Sequence, residues 1–184
     1  MNRVVSTTSR QASREIRDLV QSALAAELLN PSPRIWLVSA WITDAAVIDN
    51  GGGEFSAIVP SWPEREIRLS EVLGEFLSLG SRLHVVTNTH SANGPFSYAM
   101  RSLAETLDAE SQLKVSPHDA LTTEEEEGLH RKRLVTEHLM IWGSMNFTRS
   151  GLERNAEDVS LELDVAAVAR AINEMEQLYG QAWR

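Results

Sequence analysis

The chain has 184 residues, of which 42% are hydrophobic and 23% charged, a length and composition typical of one globular domain with a buried core. It has no cysteine, which excludes disulfides and thiolate metal sites, and no apolar run approaches the roughly 20 residues that cross a bilayer. The formal net charge of −9 disfavours tight, non-specific binding to nucleic acid or anionic lipid but is compatible with a local basic groove. The N-terminal residues lack the apolar core of a secretory signal, so we expect a soluble cytoplasmic protein.

The first half of the chain combines helical and extended patterns. Apolar residues recur at helical spacing before Pro31 and Pro33, which end the pattern. A short apolar run follows and is typical of a buried strand. In chain order, this half predicts a helix over residues 11–29, a strand over 34–40, a loop-rich stretch with a short strand or helical turn over 51–63, a helix over 69–79 and a strand over 83–87.

The second half continues the alternation and adds a hairpin that turns near Glu137 and His138. In order, it predicts a helix over residues 96–108, a brief strand over 112–116, an acidic loop over 122–128, strands over 129–136, 139–142 and 158–163, and an amphipathic helix over 165–183. Strands that alternate with helices predict a layered α/β architecture, and the hairpin makes the sheet mixed. The sequence shows no internal repeat or linker, so we expect residues 1–184 to form a single domain.

A histidine and a lysine in the strand over residues 129–136 are the most informative feature of the sequence. Side chains alternate along an extended chain, so His130 and Lys132 are expected on one face. An imidazole nucleophile beside a fixed cation suits attack on a phosphodiester. The next strand leads into Gly143-Ser144-Met145-Asn146, whose polar groups can hydrogen-bond phosphate oxygens. Arg131 and Arg133 flank Lys132 and predict a local basic patch, in which Arg131 also contacts the substrate.

This arrangement resembles the HxK…GSxN half-site of the phospholipase D superfamily. The resemblance begins at His130-Arg131-Lys132, continues through residues 143–148 and extends to Asn155-Ala156-Glu157, which is similar to the Asn-x-Glu element of single-motif bacterial nucleases. It implies the superfamily fold, an α/β/α sandwich with a mixed central sheet. Similar single-motif proteins, the DpdK-like proteins among them, occur in bacterial DNA-modification and phage-defence gene clusters.

The resemblance implies a role for each motif residue. His130 is expected to attack phosphorus and form a phosphohistidine, while Lys132 stabilises the charge of the transition state. Asn146 is expected to donate to the same phosphate, and Ser144 to support the phosphate pocket and bind substrate. Glu157 is expected to hold the imidazole of His130 through its other nitrogen. This scheme needs neither a metal ion nor another cofactor.

One part of the motif departs from the superfamily pattern. Members usually carry an aspartate five residues after the lysine, with six residues between it and Gly-Ser. Here Glu137 takes the aspartate position and only five residues separate it from Gly143, so the hairpin is one residue shorter. Because that aspartate is commonly a supporting group, the change affects the turn more than the chemistry, although altered motifs also occur in inactive members.

The chain carries only one copy of the half-site. Protonation of the leaving alkoxide needs a general acid opposite the nucleophile, and none of the other histidines is followed by x-Lys. These histidines are His84, His90, His118 and His138. A twofold partner would supply the second half-site, so we predict a homodimer with a shared active site. His84 is expected to be a core residue and His138 to lie in an exposed turn.

Three functions follow from this reading. The first is a metal-independent phosphodiesterase, expected to be a nuclease acting on DNA or RNA within a DNA-modification or phage-defence system. The second keeps the enzyme but changes the substrate to a phospholipid or a small phosphodiester; against it, the sequence lacks a basic amphipathic helix, and we expect no stable membrane association. The third is a non-catalytic subunit that binds nucleic acid in the dimeric cleft.

Two further features bear on substrate access. Glu124 to Glu127 are expected to form a solvated loop, with the alternative of a negative lid beside His130. Trp36, Trp142 and Trp183 are expected to be core anchors. Trp41 and Trp62 are candidates for a groove that stacks on bases, with core packing as the alternative for Trp41.

Overall fold

The computed structural model describes residues 2–6, 10–118, 129, 131–153 and 157–180. Within these ranges, the strands are β1 (Asn2–Ser6), β2 (Arg34–Val38), β3 (Ala46–Asp49), β4 (Glu66–Arg68), β5 (Arg82–Thr87), β6 (Leu113–Pro117), β7 (Arg133–Val135), β8 (Met140–Gly143) and β9 (Asp158–Glu162). The α-helices are α1 (Arg10–Leu29), α2 (Leu69–Ser78), α3 (Gly94–Thr106), α4 (Arg149–Glu153) and α5 (Val165–Tyr179).

A seven-stranded sheet, in the order β1-β9-β8-β7-β2-β5-β6, forms the centre of the fold. β2, β5 and β6 are parallel because α2 and α3 lie in the connections between them. β7 and β8 form the predicted hairpin, and β9 and β1 continue the sheet in antiparallel fashion. The predicted α/β fold with a mixed central sheet is therefore confirmed. β3 and β4 form a separate two-stranded ribbon.

Helices α1, α2 and α3 supply the apolar side chains that cover one face of the sheet. On α1, buried residues recur at the spacing that the sequence shows: Ile16, Leu19, Val20, Ala23, Leu24 and Leu28. They belong to one cluster with inward-facing residues of the sheet, including Leu37, Val85, Leu134 and Ile141. Helical periodicity alone therefore identifies the buried face of α1.

Helix α5 covers the opposite face over only part of its width. Val135 of β7 lies in a buried cluster with Tyr179 of α5. Trp142 of β8 pairs with Arg133, which is two residues before Val135 in β7, so Trp142 lies on the same face of the sheet as Val135. Trp142 is nevertheless 41% exposed. Val4, which pairs with Ser160 in register with Trp142, is 63% exposed. Two apolar residues, Trp142 and Val4, are therefore exposed on this part of the face, on either side of Ser160.

The tryptophans divide differently from the prediction. Trp36 is a core residue, as expected, with 1% of its surface exposed. Trp62, a candidate for the groove, is instead buried in the main core cluster, with 8% of its surface exposed. Trp142 was expected in the core and is exposed, because the cluster under α5 contains residues of β2 and β7 and contacts Met140 of β8 but does not include Trp142. Trp183 lies outside the described residues.

Three strands and part of a fourth differ from the sequence-based expectation. β1, β3 and β4 were not predicted. β7 begins at Arg133 and not at residue 129, because β2 ends at Val38, which is the ladder partner of Arg133. Lys132 thus precedes the strand, and alternation along a strand does not apply to it. The predicted turn is confirmed: the amide of Thr136 donates to the carbonyl of Leu139 at 3.0 Å.

Candidate active site

The register of the sheet brings the motif segments to one edge. Val38 at the end of β2 pairs with Arg133, the first residue of β7, and Arg133 pairs with Trp142 near the end of β8. Gly143 in turn pairs with Val159 near the start of β9. The segments that follow β2 and β8 and those that precede β7 and β9 therefore meet at the same edge. They contain, in chain order, Ser39, Trp41, Lys132, Ser144, Asn146 and Glu157.

Ser144 and Glu157 form a connected pair at this edge. The hydroxyl of Ser144 donates to Oε2 of Glu157 over 2.5 Å and accepts from the amide of Asp158 at 3.0 Å. The amide of Ser144 donates to the carbonyl of Asp158 at 3.0 Å. Only 9% of Glu157 is exposed. A buried carboxylate held by a hydroxyl has a fixed orientation, so Ser144 positions Glu157 and its hydroxyl proton faces that carboxylate.

The amide of Asn146 is oriented by β2 and the residues that follow it. Its Oδ1 accepts from the backbone amide of Trp41 at 3.3 Å and from the hydroxyl of Ser39 at 3.2 Å. Because a backbone amide can only donate, the contacting atom is oxygen and not nitrogen. Nδ2 then lies on the other side of the amide from Oδ1, and its N–H groups are of the kind that donate to a phosphate oxygen.

Ser39 was not predicted as a site residue. It is fully buried; its one hydroxyl proton is shared between the carbonyl of Trp41, at 2.8 Å, and Oδ1 of Asn146, at 3.2 Å, and its oxygen accepts from the amide of Phe147 at 3.3 Å. One hydroxyl thus ties the β2 end to the loop that carries Asn146. The available signal was its position: a serine directly after an apolar strand lies at the carboxyl end of a parallel sheet, where polar groups of a site collect.

Two glycines allow the loop to pack closely. A Cβ on Gly143, whose φ is +152°, would lie 1.9 Å from the carbonyl oxygen of Asp158. A Cβ on Gly151 in α4 would lie 2.3 Å from the carbonyl oxygen of Asn146. Neither space admits a side chain. The Gly-Ser of the motif therefore has a packing reason besides phosphate binding: glycine lets β8 approach the start of β9.

The three basic residues around the start of β7 differ in their surroundings. Lys132 is half-buried at the edge. Arg131 and Arg133 both form ion pairs with Glu174 of α5, with nitrogen–oxygen distances of 3.4 and 2.5 Å. Burial raises the pKa of Tyr179 beside them, and Arg131 opposes that rise. The expected basic patch is thus partly neutralised by α5, and the substrate contact of Arg131 stays a prediction.

Several predicted site residues lie outside the described part of the chain. These are His130, Asn155 and the acidic residues Glu124 to Glu127. The contact between His130 and Glu157, and the choice between a solvated loop and a lid, therefore stay predictions. Within the described ranges, no three or more His, Asp or Glu side chains are grouped to hold a metal ion.

Glu137 lies at the far end of β7 from Lys132, in the hairpin turn. Its Oε1 accepts from Nε and Nη2 of Arg34, at 3.1 and 3.0 Å. Arg34 also pairs with Glu176 of α5 at 2.7 Å. The residue at the motif's aspartate position thus ties the hairpin to β2 and α5.

Two other histidines have the positions that the sequence predicts. His84 is buried in β5, where its Nε2 lies 3.1 Å from the hydroxyl of Ser116. Burial, assisted by the charge of Lys114, lowers the pKa of His84 to about 4. His138 is exposed in the hairpin turn, with its Nδ1 3.1 Å from the hydroxyl of Ser32.

The sequence matches the family described as cardiolipin synthase, PLD-like domain, over residues 45–179. That match covers most of the chain, and the chain therefore belongs to the phospholipase D superfamily. No significant match was found among the curated proteins. Of the helices in the described ranges, none is both long and apolar enough to cross a membrane.

Solved structures show the same fold at low sequence identity. Nuc from Salmonella typhimurium, a phospholipase D family member, has a TM-score of 0.62 at 14% identity, with 98% of this chain and 95% of Nuc covered. NucT from Helicobacter pylori has a TM-score of 0.59 at 12% identity, with 97% and 94% covered. Phosphatidylserine synthase from Haemophilus influenzae has a TM-score of 0.54 at 14% identity, with 96% and 36% covered.

Proposed function

We propose that the protein is a metal-independent phosphodiesterase that acts through a phosphohistidine, with a nucleic acid as its substrate. The observation that carries this proposal is the amide of Asn146. The Trp41 amide donates to its Oδ1 and so orients the side chain, which leaves the N–H groups of Nδ2 to donate to a phosphate. Lys132 and the Ser144–Glu157 pair lie at the same sheet edge of a chain that belongs to the phospholipase D superfamily.

In this mechanism a ring nitrogen of His130 attacks phosphorus, and the bond to the leaving alkoxide breaks. Lys132 and the Nδ2 of Asn146 stabilise the charge on the non-bridging oxygens. Glu157, fixed by Ser144, holds the imidazole in the tautomer that presents a lone pair to phosphorus. Water then cleaves the phosphohistidine, releasing the phosphoryl product and restoring the imidazole.

A second subunit completes the site in this proposal, because the leaving alkoxide needs a proton donor opposite His130. Two exposed apolar residues of the sheet support a homodimer. Trp142 is 41% exposed and Val4 63% exposed on one face, and Trp142 directly precedes Gly143 and Ser144. Burial of this surface by a second copy would remove apolar area from water and bring two half-sites together.

A nucleic acid is favoured over a phospholipid by the extent of the structural likeness and by the surroundings of Asn146. The chain covers 94–95% of NucT and Nuc but only 36% of phosphatidylserine synthase. An exposed tryptophan adjoins Asn146, which suits a substrate that carries bases. The lipid alternative rests on the description of the matched family and on that synthase.

A single cleavage experiment separates the candidates. Single- and double-stranded DNA, RNA and phosphatidylcholine are each incubated with the protein in EDTA, beside a His130→Asn control. We expect EDTA-resistant cleavage of nucleic acid that the control lacks. Cleavage of lipid alone would select the lipid enzyme, and salt-sensitive nucleic-acid binding without cleavage would select the non-catalytic subunit. Phage plating on cells that carry wild type or His130→Asn tests the proposed phage-defence setting.

A further inference from the structure

Trp41 adjoins Asn146, the residue proposed to bind the phosphate. Its backbone amide donates to Oδ1 of Asn146 at 3.3 Å, and 39% of the residue is exposed. The ring of His90 packs edge-on against it, with centroids 4.5 Å apart and an interplanar angle of 60°. The amide of Ala92 donates to Nδ1 of His90 at 3.1 Å, which sets the orientation of that imidazole. An exposed aromatic pair thus adjoins the place where the scissile phosphate would bind.

The backbone around Trp41 is fixed on both sides by one buried residue. Asn93 is 3% exposed; its Nδ2 donates to the carbonyl of Ala40, and its Oδ1 accepts from the amide of Ile42, both at 2.9 Å. The ring of Trp41 is therefore presented by a segment whose position does not depend on a ligand. Aromatic groups held in this way bind with little further loss of conformational entropy.

A polar cavity of about 220 Å³ opens next to the aromatic pair. It lies between the ends of β5 and β6 and the start of α3, and His90 lines it together with Asn88, Thr89, Ser97 and Arg101. Among the lining residues that the structure describes, Arg101 is the cation and none is an aspartate or glutamate. The larger groove of about 790 Å³ between the β3–β4 ribbon and α4 differs, since three carboxylates line it beside its arginines. In a chain of net charge −9, the smaller cavity is the better place for an anion.

We infer that Trp41 and His90 form a stacking platform for the base next to the scissile phosphate, and that Arg101 binds the neighbouring phosphate in the adjoining cavity. This inference rests on the proposed phosphodiesterase function and assigns its substrate class, a single-stranded nucleic acid. A base inside a duplex is already stacked on both faces, so the platform selects unpaired bases. A phospholipid offers no base, and the platform gives it nothing to stack on.

An abasic walk tests the platform. The full-length protein cleaves single-stranded DNA and RNA oligonucleotides in which one abasic nucleotide is moved stepwise across the mapped cleavage position. Trp41→Ala should lower kcat/KM on the intact oligonucleotide by about 5- to 150-fold, the range for loss of one stacked base. With the abasic nucleotide at the platform position, the substitution should change kcat/KM little. Tyr98→Ala, which removes another exposed aromatic residue, is the matched control and should have no effect.

Two further variants keep the test decisive if Trp41→Ala folds poorly. Trp41→Phe retains an aromatic face and should keep most activity on the intact oligonucleotide, whereas Trp41→Leu retains apolar bulk without that face and should lose it. Equal losses on intact and abasic substrates would overturn the platform, as would equal activities of the Phe and Leu variants.

Arg101 is tested through the salt dependence of binding. In a His130→Asn background, one phosphate contact on a single strand contributes about 0.7 to the slope of log affinity against log salt. Arg101→Ala should lower the slope by about that amount, and Arg170→Ala, an exposed arginine of α5 outside the cavity lining, should not. Equal slopes for the two variants would overturn the assignment of Arg101. If the wild type cleaved no phosphodiester at all, the proposed function would fail, and binding of intact and abasic oligonucleotides would still decide the platform.

Discussion

Replacement of Asn146 by Asp tests the orientation of the phosphate-binding amide. The substitution is nearly isosteric, and one carboxylate oxygen can still accept from the Trp41 amide and the Ser39 hydroxyl. The other oxygen replaces Nδ2, so a donor to the phosphate becomes a negative charge that faces it. Loss of one preorganised donor costs about 10²–10³ in kcat. Two unit charges 4 Å apart repel by about 4 kcal/mol at an effective dielectric constant of 20, which slows the reaction by up to roughly a further 10³-fold.

Asn146→Ala supplies the comparison that makes this test specific. It also removes the donor, but it adds no charge, and it leaves the Trp41 amide without its acceptor. We expect Asn146→Ala to lose about 10²–10³ in kcat and about 1 kcal/mol of stability. Asn146→Asp should lose more activity and less stability. Single-turnover cleavage and thermal unfolding of both variants measure these quantities. An Asp variant that is as active as the Ala variant, or more active, would refute the assigned orientation of the amide.

Three other predictions address the supporting residues. Ser144→Ala removes the hydrogen-bond donor to Glu157. It should lower kcat by about tenfold or more, because hydrogen bonds to charged groups contribute about 1.5–3 kcal/mol. An unchanged kcat at saturating substrate would contradict the positioning role of Ser144. Glu137→Gln weakens the half-exposed ion pair with Arg34 and should lower Tm by about 1–4 °C. The kcat should stay within about twofold of wild type. A large loss of kcat would contradict this prediction and show that the turn supports the site. His84 has a pKa of about 4 in the folded protein and of about 6.5 in the unfolded chain, so the unfolded chain binds the proton first as the pH falls. The free energy of unfolding should therefore fall by up to roughly 3 kcal/mol as the pH drops from about 6.5 to about 4. Denaturant titrations at a series of pH values measure this loss, which His84→Asn should lack.

The sequence predicts the elements whose patterns are long or strongly apolar. The six periodic positions from Ile16 to Leu28 are all buried on α1, and the parallel strands β2 and β5 lie where apolar runs occur. β1 and β4 are short and rich in polar residues. Each is stabilised by pairing with another strand: β4 pairs with β3, and β1 pairs with β9, which is distant in sequence. Such pairing leaves no local signal.

The candidate site shows the same division between local and long-range information. The motif identifies Lys132, Ser144, Asn146 and Glu157, because each belongs to a local pattern with a chemical purpose. Ser39 is absent from that pattern, since its contact with Asn146 joins residues 107 positions apart. The exposure of Trp142 was wrongly predicted for a similar reason: it depends on how far α5 extends across the sheet, which the residues around Trp142 do not encode.

The central claim is that His130 is the nucleophile of a metal-independent phosphodiesterase. Acid-free quenching of the wild-type protein with its substrate in EDTA, followed by intact-mass and peptide mass spectrometry, tests it directly. We expect a phosphoryl adduct on His130 that acid removes and that His130→Asn does not form. Continued cleavage by His130→Asn, or a wild-type reaction that EDTA abolishes, would contradict it.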